Sequence, residues 1–237
     1  AHMDEINRVA DKYNLKVIED AAQALGAVYY TGGEYQKAGT IGDIGCTSFF
    51  PSKNLGCYGD GGAIFTHHDD LADRCKTIAN HGSHQKYYHS RIGMNSRLDT
   101  LQAAILDVKL KYLDQYNQAR QNAAAYYTKV LEDIDQITLP TLHTKSNHIY
   151  NQYTLILSEQ VSRDEFKSYL KSKGIPSMVY YPVPMHRQQA FSEVRYREDA
   201  FPVSEALSRS VLSIPMHTEL DKEQLAYISE TIKQYFT

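Results

Sequence analysis

The chain has 237 residues, 42% of them hydrophobic and 22% charged, which is enough apolar material for one large or two small packed domains. A formal charge of −3 argues against a nucleic-acid or anionic-membrane partner, no apolar run approaches the roughly 20 residues that span a bilayer, and no signal-peptide pattern is visible. Cys46, Cys57 and Cys75 lack paired spacing and fit free thiols in a reducing cytoplasm, so the expected partner is a small molecule or another protein chain.

Ala1-His2-Met3 reads as a cloning remnant and carries no fold argument. From Asp4 to Asn14, Ile6, Val9, Ala10 and Tyr13 recur at helical spacing, with Asp4 and Glu5 at the positive end of the dipole. Val17-Ile18 then reads as a buried strand that halts at Glu19 and Asp20. Ligands in an α/β sheet sit at the carboxyl ends of strands, so Asp20 is placed at a site edge. Ala27 to Tyr30 is a short strand that turns at Thr31-Gly-Gly33, and Gly39 to Gly45 is a glycine-punctuated loop.

Residues 47–64 follow the pattern strand, loop, strand. Cys46-Thr-Ser-Phe-Phe50 ends at Pro51, Lys53 sits in a polar loop, and Gly56, Gly59, Gly61 and Gly62 let the backbone bend before Ala63-Ile-Phe65. A lysine between strand ends suits an amine that condenses with an aldehyde cofactor, with the Ser48 hydroxyl on the cofactor's phosphate. A carboxylate such as Asp20 would keep a pyridine nitrogen protonated at the other end of the ring. The plain alternative for any one lysine is a solvated loop residue.

His67-His-Asp-Asp70 cannot converge on one ion from adjacent turn positions, so no metal is expected there, and Asp69 and Asp70 instead start the helix Leu71 to Asn80. His81, His84 and His89 lie in an aperiodic stretch read as a loop, either over a substrate or simply solvated. Asn95-Ser-Arg97 precedes a long helix. Ser96 with Asp99 reads as a capping box, and Leu98, Leu101, Ile105, Val108 and Tyr112 as a stripe assigned to the core. An exposed amide and guanidinium at a helix start can hold phosphate or carboxylate, against the plainer reading of a cap and a surface charge.

A second helix, Asp114 to Ile134, can carry the chain between domains. The boundary falls within 115–148, giving a large-domain portion over 4–130 and a small α+β domain over 131–237. The small domain is expected to hold a strand over 150–157, a helix opened by the Ser162-x-x-Glu165 box, a strand over 177–181, a helix near 204–210, the run Val211 to Ile214 and a helix over 221–235. The loop Tyr180-Tyr-Pro-Val-Pro-Met-His186 is its contribution to a site, unless these are strand-end aromatics capped by prolines.

Val17-Ile-Glu-Asp-Ala-Ala-Gln23, Ser48-Phe-Phe-Pro-Ser-Lys53 and Gly93-Met-Asn95-Ser-Arg97-Leu-Asp-Thr-Leu-Gln-Ala-Ala104, in that order, resemble the sugar aminotransferases of the DegT/DnrJ/EryC1/StrS family, from about residue 4 to the C-terminus. The resemblance implies a fold-type I α/β transferase that uses pyridoxal 5'-phosphate, with a mixed sheet flanked by helices and a small C-terminal α+β domain. It implies that Lys53 carries the cofactor, Asp20 contacts the ring nitrogen, Gln23 the ring's hydroxyl side and Ser48 the phosphate. Asn95 would reach a partner protomer's phosphate in a cytoplasmic homodimer with shared active sites. Arg97, Tyr180, Tyr181 and His186 would lie toward the nucleotide sugar, with L-glutamate as amino donor.

Dehydrating members of that family carry histidine where this chain has Lys53, so aminotransfer is implied. The phrases around Lys53 and Arg97 look most like enzymes that aminate C3 of a UDP-linked 3-keto-N-acetylglucosaminuronic acid for surface polysaccharide. Members are typically longer at the N-terminus, so the large-domain sheet is expected to be incomplete. The alternative is therefore an N-terminally truncated, catalytically silent unit for interaction or dimerisation. A nucleotide-binding module is disfavoured, because Gly56-x-x-Gly59-x-Gly-Gly matches neither the dinucleotide fingerprint nor a phosphate loop.

Overall fold

In the computed structural model, which describes residues 1–191 and 200–237, the chain divides into two units, residues 1–118 with 142–151 and residues 119–141 with 152–237. The first unit opens with α1 (Met3–Tyr13), whose Asp4 and Glu5 lie in the first turn and whose end is marked by Asn14 in the left-handed region at φ 50°. β1 (Ile18–Asp20) follows. β2 (Val28–Thr31) and β3 (Glu34–Lys37) then form a hairpin in which only the first strand was expected. Gly32 and Gly33, at φ 62° and 90°, supply the two positive φ angles of a tight primed turn. On its other side β2 receives the returning segment 142–151, through Tyr30 N to Lys145 O at 2.6 Å and Val28 N to Asn147 Oδ1 at 2.7 Å.

β4 (Ile44–Ser48) runs parallel to β1, with Asp20 opposite Cys46, and β5 (Gly62–Phe65) runs antiparallel to β4, with Gly62 opposite Ser48. The sheet order is β1–β4–β5. Glu19, between Ile18 and Asp20, turns its carboxylate into the Gly39–Gly45 loop and accepts from the N–H groups of Gly39 at 2.9 Å, Ile41 at 2.5 Å and Gly42 at 2.7 Å. That bend brings Gly39 onto Gly45, where a Cβ would lie 1.9 Å from the Gly39 carbonyl oxygen.

α2 (Asp69–Ala79) starts at the two expected aspartates. The histidine-containing stretch beyond it, read as a loop, is a hairpin of β6 (Ser83–Gln85) and β7 (Tyr88–His89). α3 (Thr100–Leu110) has Asp99 at its N-cap with no side-chain cap bond, so the expected Ser96 box is not made. Its expected core stripe holds only in part: Leu98 packs on the core and Ile105 is half-buried, but Leu101, Val108 and Tyr112 are 71%, 58% and 47% exposed. The face that packs runs Leu98, Gln102, Leu106, Lys109. Gln102 Oε1 accepts from Tyr58 N at 2.8 Å, Lys109 donates to the Gly56 carbonyl, and Leu106 joins Phe49, Leu55, Cys57 and Leu113 in one cluster. Two polar side chains on the buried side broke the apolar period by which such a face is recognised.

α4 (Leu113–Leu131) carries the chain into the second unit. There β8 (Ile137–Thr138) and β9 (Tyr153–Leu157) are followed by α5 (Arg163–Ser172), α6 (Pro202–Ser210), β10 (Val211–Ile214) and α7 (Lys222–Phe236), with an antiparallel sheet of order β10–β9–β8. Tyr127, Leu131, Tyr153, Phe166, Leu212 and Ile232 are fully buried in its core. Tyr127 satisfies its hydroxyl on Pro215 O at 3.0 Å, and burial pushes that phenol above its ordinary pKa. Ser162 caps α5 as expected, and Asp221 with Gln224 forms a reciprocal capping box on α7.

The expected strand over 177–181 reduces to one bridge between Met178 and Ser213, because Pro176 and Pro182 remove ladder donors on both sides. The proline-rich loop that follows is tied to α6 instead. Glu205 Oε1 lies 2.9 Å from His186 Nε2 and accepts from Arg187 Nε at 2.6 Å, and the His186 ring packs on Phe201 at 4.7 Å between centroids. No helix among the described residues is long and apolar enough to cross a membrane.

Gly45→Ala should destabilise the first unit by about 3 kcal/mol, since backbone rather than a movable side chain meets the added methyl; urea unfolding reads the loss. A second expectation concerns acid. The hydrogen bond from His186, and after it that from Arg187, holds the Glu205 carboxyl below its ordinary 4.5. The stability it adds is complete above that value and is lost as pH falls through the lower folded value. Glu205→Gln should therefore flatten the fall in melting temperature below pH 4.5, and an unchanged acid limb would refute the assignment.

Candidate active site

Parallel pairing puts the carboxyl ends of β1 and β4 at the same sheet edge. Asp20 is the last residue of β1 and pairs with Cys46, and Ser48 ends β4 two residues further on. With neighbouring strands roughly 4.8 Å apart and about 3.3 Å per residue, the two side chains leave the sheet within a cofactor's reach of each other. Ala21 N donates to Cys46 O at 2.8 Å and Thr47 Oγ1 to Ala21 O at 3.2 Å, which carries the ladder one residue past Asp20.

Asp20 is exposed. Its Oδ1 accepts from Ala22 N at 3.0 Å, and its second oxygen has no donor among the described residues. Gln23 is also exposed and shares with Asp20 a cavity of about 440 Å³ that is bounded by Tyr29, Asn147 and Ile149.

Lys53 stands on the loop leaving β4. A turn closes behind it, with Lys53 N donating to Phe50 O at 2.9 Å, while Ser48 Oγ accepts from Phe50 N at 3.2 Å. Leu55 and Cys57 anchor the loop from below in the cluster with Phe49, and the Cys57 thiol donates to Phe49 O at 3.0 Å. Gly56 is required there, since a Cβ would sit 2.4 Å from Pro51 O. The lysine is half-buried, and no oxygen among the described residues accepts from its ammonium. An amine held on a packed loop without an ion-pair partner is free to react.

Asn95 and Arg97 are placed apart from the Asp20 cavity. Asn95 bridges to Asn80, and its Oδ1 accepts from Arg97 Nε at 3.3 Å. Arg97 borders a second cavity of about 960 Å³ with Thr47, Gly62, Cys75 and Lys76, and its terminal nitrogens have no acceptor among the described residues. Tyr180, Tyr181 and His186 line a cavity of about 550 Å³ in the second unit. His186, expected to meet substrate, has one ring nitrogen committed to Glu205 and is a support for its loop.

Three residues that matter to this geometry were not singled out in the sequence: Glu19, which organises the 39–42 bend, and the buried amides Asn54 and Asn117 behind the Lys53 loop. Glu19 had a signal, a carboxylate beside Asp20 with glycines twenty residues on. Asn117, inside an ordinary helix, had none.

The residues present fit a phosphorylated pyridine aldehyde: an amine without a partner among the described residues, a carboxylate with one open oxygen on the neighbouring strand end, and a hydroxyl at the end of β4. A solved structure of S. venezuelae DesV in complex with a ketimine intermediate superposes with a TM-score of 0.91 and 37% identity, over 99% of this chain and 62% of that one. A pleiotropic regulatory protein of Geobacillus stearothermophilus is 44% identical over 238 residues, covering 100% of this chain and 62% of that protein. A UDP-2-acetamido-2-deoxy-3-oxo-D-glucuronate aminotransferase of Pseudomonas aeruginosa is 42% identical over 96% of this chain and 60% of its own length. The chain thus spans about 60% of the length of these curated relatives. The profile of the DegT/DnrJ/EryC1/StrS aminotransferase family matches residues 1–233, and the chain belongs to that family.

Proposed function

We propose that this chain carries the lysine and ring-binding residues of a pyridoxal-phosphate aminotransferase that moves an amino group from L-glutamate to a nucleotide-linked keto sugar. The observation that carries the reading is the unpaired Lys53 amine at the sheet edge where Asp20 keeps an open carboxylate oxygen. When bound, the cofactor supplies an electron-withdrawing ring that accepts the electron pair released from a substrate carbon.

Lys53 holds the cofactor's aldehyde carbon. Its amine, in the neutral form, would take the proton from the donor's α-carbon and redeliver it. Asp20 orients and holds the proton on the pyridine nitrogen. Ser48 and the turn after it bind the phosphate, and Gln23 meets the ring's hydroxyl side. Asn95 reaches the phosphate of a second protomer in a homodimer. Arg97, with its terminal nitrogens open, binds a carboxylate, and Tyr180 and Tyr181 bind the sugar nucleotide.

The substrate we favour is a UDP-linked 3-keto-N-acetylglucosaminuronate. An available guanidinium suits a uronate, and the 42% identical Pseudomonas aeruginosa relative bears that substrate in its name.

Borohydride reduction of the chain mixed with pyridoxal phosphate should fix one adduct, located at Lys53 by mass spectrometry and absent from Lys53→Ala. Asp20→Asn should keep the adduct while slowing amino-group exchange with L-glutamate roughly 100-fold or more. Loss of both equally would remove Asp20 from the role given to it. A chain that takes no adduct at saturating cofactor would instead be a silent interaction unit.

A further inference from the structure

Behind the Lys53 loop lie two buried side-chain amides that none of the roles above uses. Asn54 and Asn117 are 7% and 5% exposed. Asn54 Nδ2 donates to Asn117 Oδ1 at 2.6 Å and to Ile149 O at 3.1 Å, and Asn117 Nδ2 donates to Leu25 O at 3.3 Å. Asn54 Oδ1 has no partner among the described residues, so the hold of Asn54 on its surroundings runs through its amino group.

These bonds join three stretches far apart in sequence, two of which also meet in the apolar cluster, where Leu25 packs against the group that holds Leu55 and Cys57. Asn54 follows Lys53 directly. Leu25 closes the turn that begins at Asp20 and contains Gln23. Ile149 belongs to the segment that clamps β2 through Asn147 and Lys145. Gly26 confirms that the approach is built: at φ 92° it leaves space that a Cβ would fill to within 2.3 Å of Asn117 Nδ2. A side chain there would displace the amide from Leu25 O.

We infer that Asn54 and Asn117 are positioning residues, an amide relay that sets the Lys53 loop relative to the Asp20–Gly26 turn. Neither touches the reacting groups. Each bond ends on a backbone carbonyl or the other amide, in surroundings where a missing partner strands a buried polar group. The relay therefore couples the two loops that carry the amine and the carboxylate. This inference rests on the proposed role of Lys53 only for its functional consequence; the coupling itself is a property of the fold.

Hydrogen exchange on the full chain tests the coupling. Asn54→Ala removes both donors without adding charge and should speed exchange roughly tenfold in peptides covering 50–57 and also 20–27. Asn117→Asp keeps the acceptor for Asn54 and loses the donor to Leu25, so its rise should be confined to 20–27. Leu131→Ala, a cavity in the other unit's core, controls for general destabilisation and should not single out these peptides.

The functional arm reads the share of borohydride-fixed pyridoxal phosphate found on Lys53 relative to the other lysines. Asn54→Ala should lower that share about tenfold while circular dichroism stays unchanged. Unchanged exchange at 20–27 in Asn54→Ala would overturn the coupling, and an unchanged Lys53 share despite loosened loops would overturn the positioning role. No adduct on Lys53 in the unsubstituted chain would overturn the proposed function instead, with exchange alone deciding whether the relay couples the loops.

Discussion

The parallel hydrogen bonding of β1 to β4 is the constraint on which the rest depends. An antiparallel pair would send Asp20 and Ser48 to opposite ends of the sheet, whereas a parallel pair sends both strands toward one edge and forces the intervening chain to return outside it. That return includes the β2–β3 hairpin and the glycine bend before β4. A carboxylate and a lysine-bearing loop, far apart in sequence, then share an edge without any direct bond between them. Catalytic use of such a pair demands that they stay unbonded, because an ion pair would occupy the lysine and neutralise the carboxylate.

A side chain left without a partner has to be kept in place by its backbone, and the structure supplies that through close packing. Leu55 and Cys57 tie the Lys53 loop into an apolar cluster, and Gly56 lets it fold back on Pro51. Gly45 lets the 39–42 bend lie flat on the central strand. The glycines at 45 and 56 buy contact distance, while those at 32 and 33 serve a turn, and only the second use follows from sequence neighbours.

That distinction explains what could be read in advance. Strands with apolar runs, helices opened by acidic residues and the Ser162 cap depend on neighbours a few residues away, and these elements appear where expected within a few residues. Asp20 and Ser48 could be placed at strand ends, and Lys53 on the loop between two strands, for the same reason. The misreadings have two sources, distant partners and local signals that were weighed wrongly. The α3 stripe looked buried because its true packing face contains Gln102 and Lys109, whose polar ends are satisfied by the backbone of the loop over residues 56–58. The 177–181 strand looked complete because alternation cannot show that flanking prolines leave one bridge. The His81–His89 hairpin lacked an apolar period, and Asn117 is indistinguishable from any helix-surface asparagine until Gly26 is seen against it.

A common device runs through the first unit. Glu19, Gln102, Lys109 and Asn117 each reach a loop and end on its backbone, at Gly39–Gly42, Tyr58, Gly56 and Leu25 respectively. Loops leave N–H and C=O groups that no ladder satisfies, and burying them without partners is costly. A side chain that bonds to such a group fixes the path of the chain whatever residue stands there. Surface side chains on the loop are then free to serve a ligand, which is the division of labour a site with an unpaired amine requires. Glu205 departs from this pattern: it binds side chains, His186 and Arg187, so the loop it secures loses two polar groups to its own support. The exposed rings of Tyr180 and Tyr181 are the side chains of that loop left uncommitted to this support.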